Sequence, residues 1–148
     1  AAVIVGEDGR IIDAVLDTAQ NKIAFDKEGK LVTPMDTVFK SKNELGEDYG
    51  MKAASGIGKE WNEQAEAFAK YVTGKNIIEV KEMKIEEGTS ENEDLKASVT
   101  IGVGDITKAL DKAYADAFVS EAEAVVEDAV EAVVEEVKDA VEADKPAA

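Results

Sequence analysis

Short apolar runs separated by turn sequences make up the first 33 residues. The runs lie at residues 3–5, 11–18, 22–25 and 31–32, with turn sequences at 7–9 and 27–29. Asp8-Gly9 between two apolar runs favours a tight hairpin, because Gly accepts a positive φ there. In the second run, Ile12, Ala14 and Leu16 alternate with more polar positions and are expected to face the core. The pattern predicts an N-terminal antiparallel β-meander.

A helical period replaces this alternation in the middle of the chain. Trp61, Ala65, Phe68 and Val72 recur at spacings of four, three and four, which predicts an α-helix over residues 59–72. The preceding residues, 34–58, are expected to form a long loop with one helical turn. After the helix we expect a helical turn at 76–80, a short strand at 83–85 and an acidic, solvated loop at 86–94.

A last buried strand and a helix complete the predicted domain. Residues 97–101 are expected to form the strand, and Asp105 is a suitable N-cap for a helix that begins at Ile106. Strands followed by helix, strand and helix predict the α+β class, with the helices packed on the sheet.

The negative charge is concentrated at the C-terminus. The chain of 148 residues has a net charge of −16, and residues 119–148 contain ten acids and two lysines, without Gly or aromatic residues. Four valines there, Val126, Val130, Val133 and Val137, alternate spacings of four and three. We therefore predict a domain at 1–118 and a long acidic C-terminal helix at 119–148. Its valine seam packs either on its own domain or on another copy in a homo-oligomer; the alternative is a partly frayed acidic tail.

Composition excludes several kinds of chemistry. Without His or Cys, the chain has no thiolate zinc site, no Cys nucleophile and no His base, and we expect neither a metal nor an enzyme activity. The net charge disfavours nucleic acid, and no apolar run is long enough for a membrane span. Because the chain begins with Ala1, we expect an upstream segment to have been removed.

Two glycine-containing stretches resemble phosphate-binding loops. Ser55-Gly56-Ile57-Gly58 runs into the predicted helix, and residues 97–105 repeat the order of glycines followed by a helix. Backbone N–H groups at such helix starts bind phosphate. A structural turn is the default explanation of both stretches, and Ser55-Gly56-Ile57-Gly58 lacks the Lys-Ser/Thr of a nucleotide P-loop.

Longer stretches resemble a known family. Residues 8–20, 42–46, 49–52, 54–61 and 97–105 are similar to those of clostridial extracytoplasmic proteins, many of them lipoproteins. This family is distantly similar to the FMN-binding domains of secreted and membrane-anchored electron-transfer proteins. The resemblance covers residues 1–118 and implies an extracytoplasmic location.

The flavinylation motif of those domains has a partial counterpart here. It consists of Asp, two variable residues and Ser/Thr-Gly-Ala-Ser/Thr; Asp94 and Thr100 fit, whereas Ala97, Ser98 and Val99 differ. The resemblance implies an FMN site that includes Asp94, Ser98 and Thr100, with Ser55 and Gly56 as a second imperfect copy. The missing Gly argues against covalent attachment.

Two functional hypotheses follow. The first is an extracytoplasmic FMN-binding-like domain that carries electrons or binds a small ligand. The alternative is a non-enzymatic structural protein of the cell surface or of an extracellular assembly, joined through the C-terminal helix. Both can hold for one protein.

Overall fold

A computed structural model describes residues 1–117 together with residues 130, 131 and 134. Its strands are β1 (Ala2–Val5), β2 (Ile11–Val15), β3 (Ile85–Glu86) and β4 (Thr89–Ser90). Its helices are α1 (Lys42–Leu45), α2 (Trp61–Val72), α3 (Ile77–Lys81), α4 (Glu93–Lys96) and α5 (residues 104–117), and a 3₁₀ turn covers Gly46–Tyr49. The described part is thus mixed α+β, with two small antiparallel sheets and five helices.

Most of the predicted acidic helix lies outside the described residues. Val130, Glu131 and Val134 are helical, and all three are exposed. The long helix, its valine seam and the boundary at residue 118 therefore stay predictions.

A β-bulge decides which side of β2 is buried. Val5 pairs with Ile11 and Ile4 pairs with Asp13, so Ile12 is an extra residue in its strand. Ile11 is consequently 1% exposed, whereas Ile12 is 58% exposed. The expectation that Ile12 faces the core with Ala14 and Leu16 was wrong, because the bulge reverses the alternation at that point.

The third strand of the expected meander does not form. Residues 22–33 instead fold back on themselves, joined by the single bridge between Phe25 and Leu31. Asp26 Oδ1 accepts hydrogen bonds from the N–H groups of Glu28 (3.0 Å) and Lys30 (2.8 Å), which closes the turn locally. A second bridge, Ala19 to Ser41, closes the base of this projection. We call residues 19–41 the arm.

The helix α2 lies at the centre of the core and packs on β2. Trp61, Ala65, Phe68 and Val72 are all buried, which confirms the face predicted from their spacing. The core also contains Ala69 of α2, Leu16 just after β2, and residues from β2, α3, α4, α5 and the 99–103 segment: Ile11, Ala14, Val80, Leu95, Val99, Ile101, Val103 and Leu110.

Residues 86–94 are more ordered than predicted. The helical turn expected at 76–80 is α3, but the acidic loop is replaced by the β3–β4 hairpin and by α4. Glu87 (φ 51°) and Gly88 (φ 86°) form the two-residue turn between the strands. The loop prediction was wrong because Glu-Gly is an uncommon pair in such turns.

The strand expected at 97–101 was also wrong. The Val99 N–H donates to Leu95 O (2.7 Å), so this segment continues as a turn after α4. The Val103 N–H then donates to Gly88 O (2.7 Å). Asp105 lies inside the first turn of α5 rather than at its N-cap. There a hydrogen bond and the positive charge of Lys108, at 2.8 Å, lower the pKa of Asp105.

Candidate functional site

One buried amide joins the two stretches that the sequence picked out. Gln64, on α2, is fully buried, and its Oε1 accepts hydrogen bonds from the N–H (2.7 Å) and hydroxyl (3.1 Å) of Thr100. It also accepts one from the Ile101 N–H (3.2 Å). The Nε2 group donates to Ser55 Oγ and to Lys59 O, both at 3.1 Å. We call these contacts the Gln64 junction.

The predicted FMN residues differ in their surroundings. Thr100 and Ser55 meet at the Gln64 junction, whereas the Ser98 hydroxyl donates to Leu95 O (3.2 Å). Asp94 lies exposed in the first turn of α4. The hydroxyl protons of Ser98 and Thr100 are thus both directed to oxygens of the protein itself.

Gly56 lies in the loop before α2, and it is exposed. A Cβ atom added to Gly56 would meet nothing within 4 Å, so the described fold has no close contact that needs glycine there. The loop is held instead by the Ser55 N–H, which donates to Met51 O (2.8 Å), and by the Gly58 N–H, which donates to Ser55 O (3.0 Å).

A buried carboxylate beside this loop was missed by the sequence reasoning. Glu60 is 3% exposed, and its oxygens accept hydrogen bonds from the N–H groups of Met51 (2.8 Å) and Lys52 (2.9 Å). Its own N–H donates to Glu63 Oε2 (2.7 Å). An acid at the start of a helix followed three residues later by Glu is the signal that marks this cap. Two carboxylates at the start of α2 oppose the binding of a phosphate there.

An open cavity lies elsewhere, between the arm and the 3₁₀ turn. This arm cleft has a volume of about 570 Å³ and is lined by Gln20, Lys22, Phe39, Leu45, Asp48, Tyr49 and Met51. None of the five sequence-predicted site residues lines it.

Aromatic rings and a cation define one wall of the arm cleft. The Tyr49 hydroxyl donates to Gln20 Oε1 (3.1 Å), which ties the arm to the 3₁₀ turn. The Lys42 ammonium lies 4.7 Å from the centre of the Tyr49 ring and 5.0 Å from that of Trp61. Lys42 and Trp61 do not line the cleft themselves; its lining includes the rings of Phe39 and Tyr49 with the ammonium of Lys22, which suit a flat or apolar group that has negative charge at its edge.

The arm itself exposes an unusual amount of apolar surface. Among the described residues, thirteen large apolar side chains are exposed, and seven of them belong to the arm. These seven are Ile23, Phe25, Leu31, Val32, Met35, Val38 and Phe39. Met35 and Val38 are almost fully exposed, at 89% and 87%. Monomeric proteins rarely leave so many apolar side chains together in water, and such patches mark interaction sites.

A smaller cavity of about 270 Å³ lies between β2 and α2. The Oδ1 atom of Asn62, one of its lining residues, is buried without a hydrogen-bond partner. Across residues 1–117 and the three described helical positions, no three acidic side chains gather into a metal-binding group. No helix in that same part of the chain is long and apolar enough to cross a membrane.

No protein-family model matches this chain, and no curated protein or solved structure matches it either. The arm, the arm cleft and the Gln64 junction are therefore the features of the described fold that bear on function.

Proposed function

We propose that this chain is a non-enzymatic structural protein that acts outside the cytoplasm and associates with copies of itself. The observation that carries this proposal is the apolar surface of the arm, where seven large side chains are exposed. Each such side chain stabilises an interface by about 1.5–3 kcal/mol if it becomes fully buried. The absence of Cys is compatible with an extracytoplasmic location, which the resemblance also implies.

The C-terminal segment supplies a second apolar surface. Val130 and Val134 are helical and are 56% and 47% exposed. Val lowers the intrinsic stability of a helix, so a valine stripe in water needs a partner. The net charge of −16 keeps this association specific, because copies repel one another wherever apolar surfaces do not meet.

The test is the mass of the full chain in solution, measured by sedimentation equilibrium over a range of concentrations. We expect oligomers that dissociate on dilution. Replacing Val126, Val130, Val133 and Val137 by Ser should shift the chain towards the monomer. A wild-type chain that is monomeric at every concentration would overturn the proposal.

We propose binding of FMN or another planar anionic ligand as a second function, located in the arm cleft. The presence of Phe39, Tyr49 and Lys22 among its lining residues supports this assignment. The resemblance implies FMN as the ligand, and in the arm cleft FMN would bind without a covalent bond. The flavin would supply the redox chemistry, while the protein would orient it.

A pair of phenylalanines gives this second proposal a matched control. Phe39 lines the cleft and Phe25 lies on the arm outside it. Titration with FMN, followed by flavin fluorescence, should show binding that F39A weakens at least fivefold and F25A leaves unchanged. Absence of binding, or an equal effect of both variants, would remove the cleft from consideration. Intact-protein mass spectrometry reports separately on any covalent flavin.

A further inference from the structure

We infer that the arm of one copy binds the acidic segment 119–148 of a second copy. This inference depends on the proposed self-association and identifies the two surfaces that meet. It is supported by complementary charge, by the positions at which the arm and the C-terminal segment leave the domain, and by the matching apolar character of the two segments.

Charge separates the arm from the rest of the chain. The arm contains four lysines, Lys22, Lys27, Lys30 and Lys40, against three acids, a net charge of +1. The remaining residues carry −17, of which −8 belongs to 119–148. The arm is therefore a slightly basic, apolar surface on a strongly acidic protein, and an acidic apolar segment is the complementary partner.

The two segments leave the domain at opposite ends. The start of α5 lies near the base of the arm, because Asp105 and Ile106 share a small cavity with Asp17 and Thr18. Towards the other end of α5, the Tyr114 hydroxyl donates to Gly9 O (2.6 Å), in the turn between β1 and β2. With a rise of about 1.5 Å per residue, α5 leads the chain about 20 Å away from the base of the arm.

This arrangement favours a partner over a contact within one copy. The described part of α5 ends at residue 117, remote from the base of the arm, and residues 119–148 come after it in the sequence. An arm at one end and a complementary segment at the other form a heterologous, head-to-tail interface. Such an interface adds copies one after another into chains or rings, and a ring of two copies forms where each copy binds the segment of the other.

The apolar positions of the two segments complement each other as well. Val32, Met35 and Val38 of the arm are exposed, with Lys30 and Lys40 close to them in sequence. In the acidic segment, Val130 and Val133 alternate with acids such as Glu131. Contact between valines and the arm would place the carboxylates beside the lysines at the rim of the interface, where charge sets partner choice.

A mixing experiment on the full chain tests this inference. The arm variant is V32D/M35D, the C-terminal variant is V130D/V133D, and the control is I4D/V15D on the exposed outer face of the first sheet. Ile4 and Val15 are about as exposed as Val32, so the control adds the same charge to an equally accessible surface. Circular dichroism checks that each variant folds.

We expect the arm variant and the C-terminal variant each to be monomeric by sedimentation, and the control to assemble as the wild type does. An equal mixture of the two defective variants should form 1:1 dimers and nothing larger, because each retains the surface that the other lacks.

A mixture that stays monomeric overturns the inference. Assembly by the arm variant also overturns it, and then the C-terminal segments pair with each other and the proposed self-association survives. A wild-type chain that is monomeric would overturn both this inference and the proposed self-association.

Charge reversal provides an independent readout. K22E/K40E changes two arm lysines, and K84E/K112E changes two exposed lysines outside the arm, with the same change in net charge. We expect the arm pair to weaken association about three- to tenfold more than the control pair, consistent with two rim ion pairs. Equal weakening by the two pairs would show that bulk repulsion alone is responsible and would contradict the docking of the acidic segment on the arm.

Discussion

Gln64 and Thr100 are joined twice, because the backbone N–H and the hydroxyl of Thr100 both donate to Gln64 Oε1, at 2.7 and 3.1 Å. The same amide donates to Ser55 Oγ, so a single side chain of α2 holds the loop before the helix and the segment after α4. Both segments lack strand partners in the described fold, and the Gln64 junction supplies hydrogen bonds that a sheet would otherwise give.

Replacing Gln64 by Glu tests the donor side of this junction. Glu keeps an oxygen for Thr100 but places a second oxygen against Lys59 O and Ser55 Oγ, where the amide had donated. We expect the free energy of unfolding in urea to fall by about 2–4 kcal/mol at neutral pH. Q20E is the matched control, because exposed Gln20 uses only its oxygen, as the acceptor for Tyr49. A loss in Q64E no larger than in Q20E would contradict the role of the junction.

The buried Glu60 gives a second comparison. In E60Q, an NH₂ group replaces one of the two oxygens that accept from Met51 and Lys52, so one backbone N–H loses its acceptor. We expect a loss of about 1–3 kcal/mol in urea unfolding. The same substitution at exposed Glu66, whose partner is Lys70, should change the free energy of unfolding much less, because water screens this surface pair. Equal losses would mean that Glu60 does not anchor the loop.

Elements whose burial follows from a local repeat of apolar residues could be predicted from the sequence. The helix α2 was predicted because Trp61, Ala65, Phe68 and Val72 form one stripe, and burial of that stripe is what stabilises the helix. The position of Ile12 could not be predicted in this way. Its exposure depends on a bulge, which is a property of strand pairing and is not contained in the pattern of either strand.

The segment at 97–103 shows a different limit. Val99, Ile101 and Val103 are buried in alternation, so the pattern was right about burial and wrong about the strand. An alternating pattern needs a partner strand to become a sheet, and here Gln64 takes part of that role.

The candidate site was predicted in part. Ser55 and Thr100 were identified, but the Gln64 that joins them was overlooked because it is polar. Its position three residues after Trp61 and four before Phe68 places it on the buried face, and that was the available signal.

A substitution at Glu87, in the turn between β3 and β4, is expected to increase the stability of the fold. Glu87 adopts φ 51°, which is unfavourable for Glu, whereas Asn tolerates this region and Asn-Gly is the preferred pair for such a turn. We expect E87N to raise the free energy of unfolding by about 0.5–1 kcal/mol. E86N, one position earlier in β3, is the control and should not stabilise, because Asn is disfavoured in strands. An E87N variant less stable than the wild type would contradict the left-handed conformation at Glu87.

The stability that Asp17 contributes is expected to depend on pH. Partial desolvation raises its pKa, but hydrogen bonds from the Ser41 hydroxyl and from the N–H groups of Asn43 and Thr18 outweigh this, and the net pKa is lowered. A carboxyl whose pKa is lower in the folded state contributes stability above its unfolded pKa of about 3.9 and loses it as the pH falls through the folded value. Because Asp17 is exposed and water screens its charge, we expect D17N to cost less than about 1 kcal/mol at neutral pH, with the difference from wild type shrinking below about pH 4. Urea unfolding across this range measures it, with D36N, at an exposed position in the arm, as the control for lost charge. A D17N deficit that stays constant down to the lowest pH would show that the carboxylate charge is not what stabilises the base of the arm.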